Sequence, residues 1–160
     1  MRLPSALVPT FASDRSWHFD VPVEHLWSRV TATDEYARWW PWLADFDPGG
    51  GFRTGASWTC TVAPPLPYRI RFRLAIDEVQ PARLVRARVT GDIRGEALLT
   101  IDAGEGDSVA RLRSRLSPAN PLLQGFGVTA RPLISWGHDW VLDSGQRQFV
   151  ERAFAPAPDP

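Results

Sequence analysis

His138, Tyr68 and Cys60 are the side chains of this 160-residue chain best suited to move a proton or attack an electrophile. On helical spacing His138 lies beside Ile134, Val141 and Leu142, close to a core-facing side, where an imidazole can act as acid or base on a buried ligand. The plainer reading is a structural histidine bonded to backbone or water, because no Ser, Cys or carboxylate pair stands near it in sequence to complete a triad. Tyr68 opens an alternating apolar segment and Ser114 sits inside another, so both are inward polar groups able to orient a ligand. Asp92 or Arg94, between Gly91 and Gly95, are further ones. Cys60 shares strand parity with Trp58 and Val62 and faces inward, where a lone cysteine is usually a small hydrophobe. His18 and His25 fall on the polar sides of their segments, and the three histidines have no metal-ligand spacing.

Two further groups have chemistry of another kind. Eight tryptophans stand at positions 17, 27, 39, 40, 42, 58, 136 and 140. Trp17, Trp27 and Trp39 fit core positions. Trp40, Trp42 and Trp58 flank a short helix and the loop after it, where flat side chains either stack on a planar ligand or fill the core. All 18 basic residues are Arg, and rows of them (Arg69, Arg71, Arg73; Arg86, Arg88; Arg111, Arg113, Arg115) alternate with apolar residues. If their strands are neighbours, eight guanidiniums share one outer face and would attract phosphates. No aromatic residue interleaves on that side, so a solvated outer face is favoured over nucleic-acid binding. Gly49-Gly50-Gly51 lacks the strand, Lys and helix of a phosphate loop and reads as a turn.

The elements that must position these residues follow from periodicity. Trp17, Phe19 and Val21 alternate with polar neighbours as a half-buried strand. Pro22 suits a first helical turn, and Val23, Leu26, Trp27 and Val30 form one apolar stripe. Thr33 is placed as the N-cap of a second short helix carrying Tyr36, Trp39, Trp40 and Leu43, which Pro41 must end or bend. The period then becomes two. Strands are expected over 58–62, 68–76, 84–89, 97–101 and 110–116, joined by short links, hence antiparallel and meandering. From about Pro121 to Ala153 the pattern is helical and apolar on nearly every face, as in a helix embraced by other structure. The order predicts an α+β fold in which a curved antiparallel sheet wraps around one long C-terminal helix.

Composition narrows the classes. With 44% hydrophobic and 22% charged residues, and 18 acidic against 18 basic, the chain reads as one ordinary globular domain. The expected division is an N-terminal extension over 1–15, a single domain over 16–154 and a disordered Pro-rich tail over 155–160. One cysteine excludes an internal disulfide and a Cys-based metal cluster. No segment reads as a signal peptide or a membrane span, so a cytoplasmic protein with no membrane insertion is expected.

Four stretches resemble the START/Bet v 1-like (SRPBCC) superfamily, and within it bacterial polyketide cyclase/dehydrase-like proteins. They are WHFDVPVEHLWSRVTATDEYARWWPWL, IDEVQPARLVRARVTGDIRGEALLTID, GDSVARLRSRLSP and GHDWVLDSGQRQFVERA, which together span about 16–153. The resemblance implies a helix-grip fold with an apolar cavity between sheet and long helix. It also implies a hydrophobic small-molecule partner (a lipid, polyketide or aromatic compound); no cofactor is expected, and the histidine spacing and arginine rows give no expectation of a metal or nucleic acid. Ligand contacts are then expected from Trp40, Trp42, Trp58, Cys60, Tyr68, Phe72, Ser114, Ile134, His138 and Val141. The first alternative is a cyclase or aromatase using His138 or Tyr68 for proton transfer. The second is a protein-interaction module whose core is filled by its own tryptophans. The expected assembly is a monomer or homodimer.

Overall fold

A computed structural model describes residues 10–120 and 131–155, with side chains excluded over 131–134. Seven strands form one antiparallel sheet: β1 Phe11–Phe19, β2 Leu43–Asp47, β3 Ser57–Val62, β4 Ile70–Gln80, β5 Leu84–Gly91, β6 Ile93–Ala103 and β7 Ser108–Pro118. Their order is β1-β7-β6-β5-β4-β3-β2, so β2 to β7 meander and β1 closes the far side against β7. Among the described residues three α-helices accompany the sheet: α1 Val23–Val30, α2 Tyr36–Trp39 and the long α3 Arg131–Ala153. The sheet curls around α3, which is the helix-grip arrangement expected from sequence.

Curvature has local causes. Gly95 pairs with Val89 on one side and Leu116 on the other. Its φ is +153°, and a Cβ there would run into the Arg115 carbonyl oxygen, so only glycine lets β6 bend this tightly. A bulge interrupts β4 between Ile76 and Glu78, and another interrupts β2 between Ala44 and Asp47.

Several boundaries differ from the expectation. β1 begins at Phe11 rather than Ser16 and so takes five residues from the expected N-terminal extension. Thr33 caps nothing: it opens a 3-10 turn, Thr33–Glu35, without a side-chain capping bond. Asp34 and Glu35 still occupy that turn, and Glu35 pairs instead with Arg29 and with Arg38 at 2.6 Å. α2 stops at Trp39 because Pro41 forces Trp40 into an extended conformation (φ −123°, ψ 87°). Leu43, assigned to that helix by spacing, starts the edge strand β2. The expected helical stretch 121–130 and the tail 156–160 lie outside the described residues.

The core sits between α1, α2, the C-terminal half of α3 and the inner face of the sheet. Leu26 and Trp39 are fully buried (0% exposed), with Phe19, Tyr36, Trp58, Cys60 and Phe149 around them. Phe149 meets Phe19 edge-on at 5.8 Å and Trp39 at 5.7 Å. Trp17 and Trp27 are half-buried against this cluster.

Candidate functional site

Beyond the core the inner face of the sheet stands clear of α3, leaving a cavity of about 280 Å3. Its sheet wall is mainly aliphatic, with Ile70, Leu74, Val89, Ile93 and Leu116 beside the Phe11 ring, and α3 closes it with Gly137, His138, Val141 and Leu142. Tyr68, Phe72 and Ser114 also line it. A second cavity of about 280 Å3 lies toward the other end of the helix, walled by Trp17, Tyr36, Trp40, Trp42 and Phe149. Leu112, Val141 and Leu142 line both, so these three side chains stand between the two chambers.

Polar groups in the first chamber are few. The Ser114 hydroxyl is paired with Ser13 across the β1–β7 ladder. Tyr68 reaches over α3 at Gly137, where a methyl group would collide with its hydroxyl oxygen. The phenol therefore lies one residue from His138, and burial raises its pKa, keeping it protonated at neutral pH. The His138 side chain is 20% exposed, with Nδ1 3.7 Å from an Asp139 carboxylate oxygen and the Phe11 ring 6.1 Å away. Burial lowers its pKa, against the pull of Asp139 and with a smaller push from Arg15, so the imidazole is neutral at pH 7. No Asp, Glu or Arg lines either chamber among the described residues.

Of the residues expected to contact a ligand, Tyr68, Phe72, Ser114, His138 and Val141 line the first chamber, and Trp40 and Trp42 line the second. Two do not. Trp58 packs edge-on against Phe46 and Phe52 and donates its indole N–H to the Gly51 carbonyl at 2.9 Å. Cys60 belongs to the same buried cluster, and burial pushes its thiol up to about 12, far from a nucleophile's range. Strand parity pointed both inward correctly, but at this edge of the sheet inward means α2 and the aromatic core. The Ile134 side chain lies outside the described residues. Asp92 is a turn lock, accepting from the Arg71 backbone at 2.9 Å and from Asn120 at 3.0 Å.

One site-adjacent residue escaped the sequence reading. Arg15 shares the inward parity of Phe11, Ser13, Trp17 and Phe19, and its guanidinium joins Asp139 at 3.1 Å and Asp143 on α3. The signal for it is the same alternation that marks Trp17 and Phe19, which extends back to Phe11.

The arginine rows do lie on the outer face, though not as one field. β6 separates β5 from β7 and places Glu96 between Arg88 and Arg115. Arg88 forks onto Asp77 (Nε to Oδ2 2.8 Å, Nη2 to Oδ1 2.9 Å) and Arg111 holds Asp14 at 2.6 Å, pairings that lower the pKa of both acids. Among the described residues no cluster of His, Cys, Asp or Glu has the makings of a metal site, and no helix is long and apolar enough to cross a membrane.

Neither a protein-family model nor a curated protein matches the sequence. Solved structures do match in three dimensions. The protein TTHA0849 from Thermus thermophilus superposes with a TM-score of 0.73 at 15% identity, over 94% of this chain and 100% of that one. The Zhui aromatase/cyclase from a Streptomyces species also gives 0.73, at 11% identity over 91% and 94%. A START superfamily protein from Mycobacterium smegmatis gives 0.66, at 11% identity over 89% and 96%. Sheet order, the gripped C-terminal helix and these superpositions agree that the chain has the helix-grip fold of the START/Bet v 1-like (SRPBCC) proteins.

Proposed function

We propose that the protein binds a neutral hydrophobic small molecule between the sheet and α3. The observation that carries this reading is the first chamber: a void walled mainly by aliphatic side chains, with the Phe11 and Phe72 rings, and tipped at one end by Tyr68 and His138. Filling it with an apolar ligand removes that surface from water at roughly 25 cal/mol per Å2. The absence of a charged lining residue among those described selects against carboxylates, since a buried anion needs a paired cation. A neutral alcohol, ketone or lactone instead finds a phenol donor and an imidazole. The proposal includes a protein working in the cytoplasm without a cofactor, as monomer or homodimer.

The test is thermal melting and tryptophan fluorescence with a panel of alcohols, sterols, flavonoids and aromatic polyketides, set against fatty acids. Saturation at 100 times Kd adds about 2.7 kcal/mol, which raises Tm by about 5–10 °C for a domain of this size. Neutral ligands should give that shift and long-chain carboxylates should not. A flat response to every compound would overturn the reading and favour an interaction module.

A second reading has one specific observation behind it. Tyr68 and His138 line the same end of the chamber, and a phenol donor near a neutral imidazole base can shuttle protons on a reactive carbonyl chain. The structural match to an aromatase/cyclase gives it a substrate class to try. It requires turnover of a poly-β-carbonyl compound that both Tyr68→Phe and His138→Gln reduce at least tenfold.

A further inference from the structure

The two chambers have equal volumes and different walls. The first is mainly aliphatic on its sheet side, with Phe11 and Phe72 among the branched side chains. The second is faced by Trp17, Trp40, Trp42, Tyr36 and Phe149. An engineered apolar cavity of about 150 Å3 is enough to take benzene, so about 280 Å3 has room for a larger ring system. The aromatic walls are fixed in place. Trp40 donates its Nε1 hydrogen to the Gly145 carbonyl at 2.9 Å, and Trp42 donates to the Gln148 Oε1 at 2.7 Å. Trp40 lies nearly parallel to Phe149 (25°) and to Trp42 (33°). With these nitrogens committed, the two indoles offer the chamber their faces and edges. Gln146 also lines the chamber, whose surface is almost wholly apolar.

We propose that the second chamber is a separate seat for one flat, neutral aromatic ring, and that the ligand reaches past Leu112, Val141 and Leu142 to lay an aliphatic part in the first chamber. This rests on the binding reading above and assigns the chemical class of the ligand's two halves. Rigid aromatic walls suit a ring because offset and edge-on contacts favour it beyond plain area burial. An aliphatic chain gains nothing from that geometry and fits the branched wall of the first chamber.

The experiment uses three probes on the whole protein: 2-naphthol for the ring seat, 1-decanol for the aliphatic seat and 4-nonylphenol to span both, titrated by calorimetry and by quenching of tryptophan emission. Two seats predict that saturating 1-decanol leaves the 2-naphthol Kd within twofold, that 4-nonylphenol displaces both, and that it binds at least a hundredfold tighter than either. Trp17→Leu, which removes one aromatic wall, should weaken 2-naphthol about tenfold and 1-decanol less than twofold. Ile93→Phe, which fills the first chamber, should do the reverse. Mutual competition between 2-naphthol and 1-decanol overturns the two-seat proposal while leaving the binding reading intact. So does 2-naphthol affinity that Trp17→Leu does not change. Failure of all three probes overturns both.

Discussion

The two ends of α3 solve the same packing problem in opposite ways. Each carries a glycine over which an aromatic side chain lies: Gly137 beneath Tyr68, and Gly145 beneath Trp42 and Trp40. At the C-terminal end the contact is tied down. Trp40 and Trp42 hydrogen-bond to the helix, Arg152 returns a bond to the Trp39 carbonyl at 2.6 Å, and Phe149 is buried in the core. At the N-terminal end the Tyr68 hydroxyl has no hydrogen bond to a described residue, and the helix is fastened laterally by the Arg15 pairs with Asp139 and Asp143. The contrast is one of fastening: each end borders a void, but one is bonded into the core beside it and the other is held by lateral ion pairs. Stability is concentrated at the first, and adaptability to a guest at the second.

The sharpest way to break this contrast is truncation at each end. Trp39→Ala removes a side chain with no exposure at the fastened end and should cost about 3–5 kcal/mol in urea denaturation. Leu116→Ala in the wall of the first chamber should cost less than about 2 kcal/mol, because one side of that side chain already faces empty space. Equal losses would mean that the first chamber is as tightly packed as the core. Next in size are the hydrogen-bond variants. Trp40→Phe strips a donor from the Gly145 carbonyl and should cost about 1 kcal/mol. Tyr68→Phe should leave stability within about 0.5 kcal/mol and lower affinity for alcohols instead.

The glycines make the comparison from the other side. Ala in a helix interior is favoured over Gly by about 1 kcal/mol. At Gly145 the new methyl would meet the Trp42 ring at 3.4 Å, an ordinary contact, so Gly145→Ala should raise Tm by a few degrees. At Gly137 the methyl must push the Tyr68 ring away. Gly137→Ala should therefore leave Tm nearly unchanged while shifting the affinity for any first-chamber ligand, which a titration with 1-decanol reads directly.

Which of these features the sequence disclosed depended on period. Strands with long strict alternation, such as Ile70–Ile76 with its intervening arginines, showed their inner and outer faces, and with them Phe72, Ser114 and the aliphatic wall. The short strand Leu43–Asp47 did not, because its bulge breaks the alternation and Asp45 adopts a positive φ of 43°. Helical spacing aligned His138 with Val141 and Leu142, which is where they stand. Spacing alone carried no distance from the sheet, so Trp58 and Cys60 had the right direction but faced core instead of void. The division of the cavity depends on how far the sheet curls at Gly95 and on which indoles reach α3. Both are tertiary facts that no local period encodes.

The smallest effects come from two histidines that titrate in opposite senses. At His138, burial lowers the folded-state pKa below 6.5, so the unfolded chain binds more protons between the folded value and 6.5. Stability is then full above pH 6.5 and falls as the pH drops through that window. At His18 the Asp107 hydrogen bond raises the folded pKa. Its contribution is present below pH 6.5 and disappears as the pH rises through the folded value. Unfolding curves between pH 5 and 8 should therefore show that His138→Gln flattens the acid decline and that His18→Gln steepens it. A neutral ligand seated against His138 adds desolvation and depresses the imidazole further. Its affinity must then weaken on acidification, because binding requires release of the imidazolium proton. A Kd for 1-decanol that rises severalfold from pH 8 to pH 5 in the unmodified protein, and stays flat in His138→Gln, would place the guest at the open end of the helix. A Kd that does not change with pH would place it away from His138.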